Sequence, residues 1–161
     1  MSRNAAETKT RATYLVCVSD NEHSLVALRF VCRRIEKTGG PLQLLHVLEP
    51  VDPTFRALAS KMREEKRALA EKFMNKCAAE VNNYANVRPV LTIREGNLVE
   101  EIIATIEEES SIGILVIGTS YDSPTRDKMI PALVSQLGDR LMIPLLIIPG
   151  TLTEQQMQEL T

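Results

Sequence analysis

What this chain lacks narrows its function before any motif is read. It has no surplus of one charge: 19 Lys and Arg against 21 Asp and Glu leave a net −2, with the two signs interleaved. Nucleic acid and anionic membrane select a one-sided basic footprint, so neither is an expected partner. Cysteine is scarce. Cys17, Cys32 and Cys77 are odd in number and form no C-x-x-C pair, which argues against a disulfide framework and a zinc site and for small apolar filler in a reducing compartment. No apolar run approaches the ~20 residues of a membrane span. The opening "MSRNAAETKTRA" has no hydrophobic centre to act as a secretion signal. Arg3, Lys9 and Arg11 give it a faint mitochondrial-presequence character, but Glu7 and its brevity favour a disordered tail over residues 1–12. The expected location is the cytoplasm. There is no internal repeat, linker or low-complexity block, and 161 residues suit one domain that buries its core without staples.

What is present is alternation. Tyr14 to Val18 ("YLVCV") reads as a strand buried on both faces, and Leu25, Leu28, Val31, Cys32 and Ile35 then recur at helical spacing until Gly39-Gly40-Pro41. Leu42 to Leu48 is a second strand. From about Pro53 to Tyr84 the pattern is helical, with Leu58, Met62, Leu69, Phe73, Cys77 and Val81 as the expected apolar stripe and "KMREEKRALAEK" as a solvated face. Arg88 to Ile93 and Ile114 to Ile117 read as strands three and four, separated by a helix carrying Leu98, Val99, Ile102, Ile103 and Ile106. A fourth helix, capped by Asp127 with Pro131 in its first turn, carries Leu133, Val134, Leu137 and Leu141. "PLLIIPG" is strand five. The expected fold is therefore α/β, a Rossmann-like doubly wound parallel sheet of five strands with four helices in three α/β/α layers, spanning residues 13–150. Residues 151–161, "TLTEQQMQELT", are a tail, either a short partner-contacting helix or disordered.

In such sheets ligands sit beyond the carboxyl ends of the strands, where strand order reverses. That directs attention to the loops Ser19–Ser24, Glu49–Pro53 and Thr119–Met129. The first, "SDNEHS", has no glycine, which removes G-x-G-x-x-G, the G-x-x-x-x-G-K-[ST] phosphate loop and the Ser-Gly-Gly loop of ATP-cleaving ligase-type domains. A phosphoacceptor domain needs an Asp ending strand three and a Lys ending strand five, and neither is there. His46, inside a strand, reads as a hydrogen-bonded structural residue. His23 either touches a ligand beside Asp20 and Glu22 or simply begins helix one. No catalytic triad or histidine metal pair can be assembled from the spacing.

Three segments in order, "YLVCVSDNEHSLVALRF", "LQLLHVLEP" and "IGILVIGTS" followed by "VSQLGDRLMIPLLIIPG", resemble the universal stress protein family from Thr13 to Gly150. The resemblance implies an ATP site built on G-x2-G-x9-G-[ST] after strand four, an Asp ending strand one and the backbone of the valine in the strand-two "HV" pair. Mapped onto this chain, the glycines fall on Gly118, Tyr121 and Pro131, the Ser/Thr on Ala132, and the strand-one Asp on Ser19, with Asp20 one place late. Only Gly118 and Val47 match.

Those departures have physical meaning. Phosphate sits at a helix start because free N–H groups and the dipole favour it, and Pro131 has no N–H to give. Tyr121 brings a side chain where close backbone approach is needed. Losing one charge-assisted bond costs ~1.5 to 3 kcal/mol, so three losses reduce affinity by orders of magnitude. Arg126 and Lys128, with Ser120, Ser123 and Thr125, offer a substitute grip, against the reading of a solvated loop. The expectation is a cytoplasmic homodimer, paired through the strand-five edge, that binds or regulates, holds no cofactor and does not grip ATP. The alternative is an ATP or AMP binder, with slow hydrolysis, using Asp20, Val47, Gly118, Thr119, Arg126 and Lys128.

Overall fold

A computed structural model describes residues 13–119 and 126–161. Five strands form one parallel sheet in the order β3-β2-β1-β4-β5. They are β1 (Thr13–Cys17), β2 (Leu42–Leu48), β3 (Val90–Glu95), β4 (Ile112–Thr119) and β5 (Leu145–Pro149). The helices are α1 (Glu22–Thr38), α2 (Arg56–Tyr84, entered through a short 3-10 turn, Pro53–Phe55), α3 (Leu98–Glu108), α4 (Arg126–Ser135) and α5 (Glu154–Leu160).

The near-continuous apolar runs of β1, β2 and β4 suit strands covered on both faces. One face packs against α1, α2 and α5 through Val16, Leu28, Val31, Leu44, Met74 and Met157. The other packs against α3 and α4 through Leu15, Leu45, Ile102, Ile103, Leu115 and Leu133. This is the three-layer arrangement expected, with five helices rather than four. The extra one is α5: Thr153 caps it with a reciprocal Gln156 bond, and Met157, 2% exposed, anchors it to the core. Arg33 of α1 reaches Glu154 and lies 5.8 Å over the Tyr84 ring.

Several boundaries differ from expectation for identifiable reasons. β3 starts at Val90 because Pro89 cannot donate to the ladder. α1 stops where Gly39 adopts φ 70° and donates to the Ile35 carbonyl at 2.7 Å. α4 is already helical at Arg126, so Asp127 lies within the helix and Pro131 in its interior, rather than serving as cap and first turn. It also ends at Ser135. Leu137 and Leu141 lie beyond it, in a tight turn closed by the Gly138 N–H on the Leu141 carbonyl at 3.0 Å, with Gly138 at φ 84°. In α2 the buried residues are Ala70, Met74, Cys77 and Val81, whereas Leu58, Met62 and Leu69 are exposed. At ~100° per residue those two sets lie about 110° apart around the helix, so the single expected stripe is two.

Candidate functional site

Strand order reverses between β1 and β4, which places the topological crevice at the carboxyl ends of those strands. The β1–α1 loop, Val18 to Asn21, is fixed by its own hydrogen bonds. Asn21 caps α1 by accepting from the Ser24 N–H at 3.0 Å. The buried Ser24 hydroxyl donates to the Ser19 carbonyl at 2.6 Å and accepts from the Ser19 N–H at 2.9 Å. Both backbone groups of Ser19 are thus spent inside the loop. Sequence reasoning missed Ser24. A Ser three residues after an Asn cap was the available signal.

Gly118 has the closest packing in the crevice. A Cβ built there would lie 2.1 Å from the His23 carbonyl oxygen and 3.2 Å from the Ala27 Cβ. Gly150 is similar, 2.5 Å from both the His23 Cβ and the Thr119 carbonyl oxygen. The two glycines therefore seat the first turn of α1 on the ends of β4 and β5, and His23 is the residue wedged between them. His23 lies in the first turn of helix one and also lines a small cavity on the α3/α4 side of the crevice. His46 is structural: its Nδ1 pairs with the Val18 carbonyl at 2.7 Å and its ring packs on Phe73 with centroids 5.5 Å apart.

On the α3/α4 side of the crevice, the described residues leave a cavity of about 80 Å³ lined by Cys17, Leu45, Val47, Ile117, Leu98 and Met129, with Gly118 and the β1–α1 loop at its mouth. Ligand cavities usually run to ~300–1,000 Å³, so this one has room for two or three waters. Leu98 and Met129 line it and also a larger groove of about 910 Å³, between the first turn of α3 and α4, that includes Glu49, Asn97, Glu100, Lys128 and Gln136. A third groove, about 350 Å³, lies between α2 and the end of β2 and includes Asp20, Val47, Glu49, Lys66, Leu69 and Phe73.

The expected site residues are only partly brought together. Val47 and Gly118 meet at the small cavity, exposed Lys128 lines the large groove, and exposed Asp20 lines the α2-side groove. Thr119 follows Gly118 and its side chain turns to the opposite face; its hydroxyl is buried with no partner among the described residues. Arg126 begins α4, but its side chain, like the loop Ser120–Thr125 with Tyr121, lies outside the described residues. Leu98 and Met129, which line the crevice, were not anticipated as site residues. Their helical spacing marks them only as core. Burial pushes the thiols of Cys17 and Cys32 up to about 12 and that of Cys77 to about 11, so no ready nucleophile is present in them. Among the described residues no three His, Cys, Asp or Glu gather as a metal site would require. No helix among them is long and apolar enough to cross a membrane.

The model of the universal stress protein family matches residues 12–149. The chain belongs to that family. Universal stress protein UspA from Lactobacillus plantarum is similar in fold at TM-score 0.70 and 18% identity, over 86% of this chain and 97% of that one. A universal stress protein in complex with cAMP gives 0.62 at 15% identity, over 87% and 98%. An Arabidopsis thaliana family protein with AMP bound gives 0.57 at 18%, over 86% and 91%. No curated protein sequence matches the chain.

Within this universal stress protein fold, α4 runs through the positions where the family's third glycine and Ser/Thr map. Pro131 and Ala132 are the sixth and seventh described residues of the helix. Beyond the first four residues of a helix the N–H groups are engaged by carbonyls of the preceding turn, so Ala132 has no free amide to present and Pro131 has none at all.

Proposed function

We propose that this universal stress protein acts by binding or regulation in the cytoplasm, without gripping a triphosphate and without catalysis. The observation that carries this reading is the helical path of α4 through Pro131 and Ala132, which leaves neither residue a free amide for a phosphate. Two further features agree with it. Gly118, the one motif glycine retained, has its clearance filled by the His23 backbone, and the adjoining cavity, lined by Leu98 and Met129, measures only about 80 Å³. The chain acts as a homodimer paired at the β5 edge, where Ile147 is exposed. Light scattering giving a monomer at micromolar concentration would remove the dimer.

A second reading is an adenine mononucleotide site. It is favoured by Val47 and Gly118 meeting at one cavity whose wall, Met129, is next to Lys128, and by the AMP and cAMP complexes of the two family structures above. Calorimetry with ATP, ADP and AMP in Mg²⁺ distinguishes the two. The first reading expects no saturable ATP binding below millimolar concentration. Micromolar AMP binding without preference for ATP selects the second, and tight ATP binding refutes both.

A further inference from the structure

The first half of α2 stands apart from the rest of the chain. Residues 60–69 are exposed without interruption and burial begins at Ala70. Arg63 lies 3.4 Å from Glu95, the last residue of β3, so this segment runs alongside the carboxyl end of the sheet. Its helicity has a local cause, since Ala, Leu, Met, Glu, Lys and Arg are the strongest helix formers. Its apolar residues have none. Leu58, Met62 and Leu69 are 56%, 40% and 67% exposed. Their spacings of four and seven are those of a heptad seam, and at ~100° per residue they fall within about 40° of one another. The seam is flanked by Lys61 and Lys72 on one side and Lys66 on the other, with Glu65, seven residues after Leu58, as the one acidic side chain at its edge. Residues 56–72 hold six basic and three acidic side chains in a chain of net charge −2.

We propose that this seam is the docking surface for an acidic amphipathic helix of a partner protein. Charge selects the occupant. A second copy pairing seam to seam would set a surplus of two positive charges, from Lys61, Lys66 and Lys72 less Glu65, against an equal surplus, and residues 1–12, with Arg3, Lys9 and Arg11 against Glu7, carry the same sign. A bilayer surface suits a helix with a broad aromatic and aliphatic face, whereas residues 56–69 have three large apolar side chains, no aromatic, and Glu64-Glu65 in their midst. A helix with leucines at i, i+4 and i+7 and glutamates beside them matches both the seam and its flanks. Lys66 and Leu69 also line the groove that contains Asp20 and Glu49, so the docked helix sits at the rim of the crevice.

The test uses the full chain and two fluorescent helical peptides with the same leucine seam, one flanked by glutamate and one by lysine. Anisotropy titration is expected to show saturable binding of the acidic peptide, at least tenfold weaker binding of the basic twin, and at least tenfold loss with Leu58→Ser/Leu69→Ser, whose circular dichroism and melting temperature stay at wild-type values. Binding of neither peptide, equal binding of both, or unchanged affinity in the double variant overturns the proposal. Two other results do so as well. One is sedimentation with phosphatidylglycerol vesicles that the double variant loses. The other is a dimer in light scattering that the double variant converts to monomer.

Discussion

Gly118→Ala separates a packing glycine from a ligand glycine. The added methyl carbon would sit 2.1 Å from the His23 carbonyl oxygen and 2.7 Å from its carbon, both backbone atoms. Restoring a tolerable contact near 3.0 Å requires the first turn of α1 to withdraw by about 1 Å. That turn is clamped to Ser19 through Ser24 and presses on Gly150 as well, so it cannot withdraw without straining those contacts. Overpacking of a core typically costs 1–3 kcal/mol, and an obstacle made of backbone belongs at the upper end, ~3 kcal/mol. For a chain of this size that lowers the melting temperature by roughly 6–12 °C. The assay is urea unfolding followed by circular dichroism, with an expected fall in midpoint at constant slope. A variant within about 0.5 kcal/mol of wild type would refute the packing role. Retained stability with lost nucleotide binding would instead make Gly118 a ligand contact.

Further outcomes follow from other parts of the structure. Gly150→Ala is expected to destabilise through the same α1 turn, by ~1–3 kcal/mol in the same assay. Met157→Ala opens a hole under α5 and is expected to cost ~2–4 kcal/mol; a loss under 0.5 kcal/mol would mean that α5 is not anchored by that side chain. Pro131→Ala gives the interior of α4 back an amide hydrogen bond and is expected to raise the urea midpoint, by ~1 kcal/mol, without creating ATP binding. The three thiols, Cys32 and Cys77 buried and Cys17 half-buried, have folded values raised above the ordinary 9.0 by desolvation, to about 12 for Cys17 and Cys32 and about 11 for Cys77. The unfolded chain therefore releases those protons first. Stability is full below pH 9 and falls as pH rises toward 11–12, and Cys→Ala at Cys17 should flatten that alkaline slope. Labelling with a thiol-specific disulfide reagent at pH 8 should be slow in the native protein and fast in urea.

Hydrophobic period and turn chemistry were enough to specify the alternation of strands and helices and the parallel sheet. Those signals are local: a run such as "LLIIP" or a stop such as Gly39-Gly40-Pro41 carries its meaning within a few residues. That Pro131 offers no N–H was legible for the same reason, because a missing N–H is a property of the residue itself. The tertiary structure decided the rest. Which apolar residues of α2 are core and which are exposed depends on where the helix leaves the sheet, and the period alone joined Leu58 and Met62 to Cys77 and Val81. Gly118 matched a motif, yet its clearance is taken by His23, 95 residues away in the chain, and only the crossing of α1 over β4 brings the two together. The meeting of Leu98 and Met129 at the crevice and the docking of α5 through Met157 arise in the same way, from contacts between distant segments whose geometry no local pattern encodes.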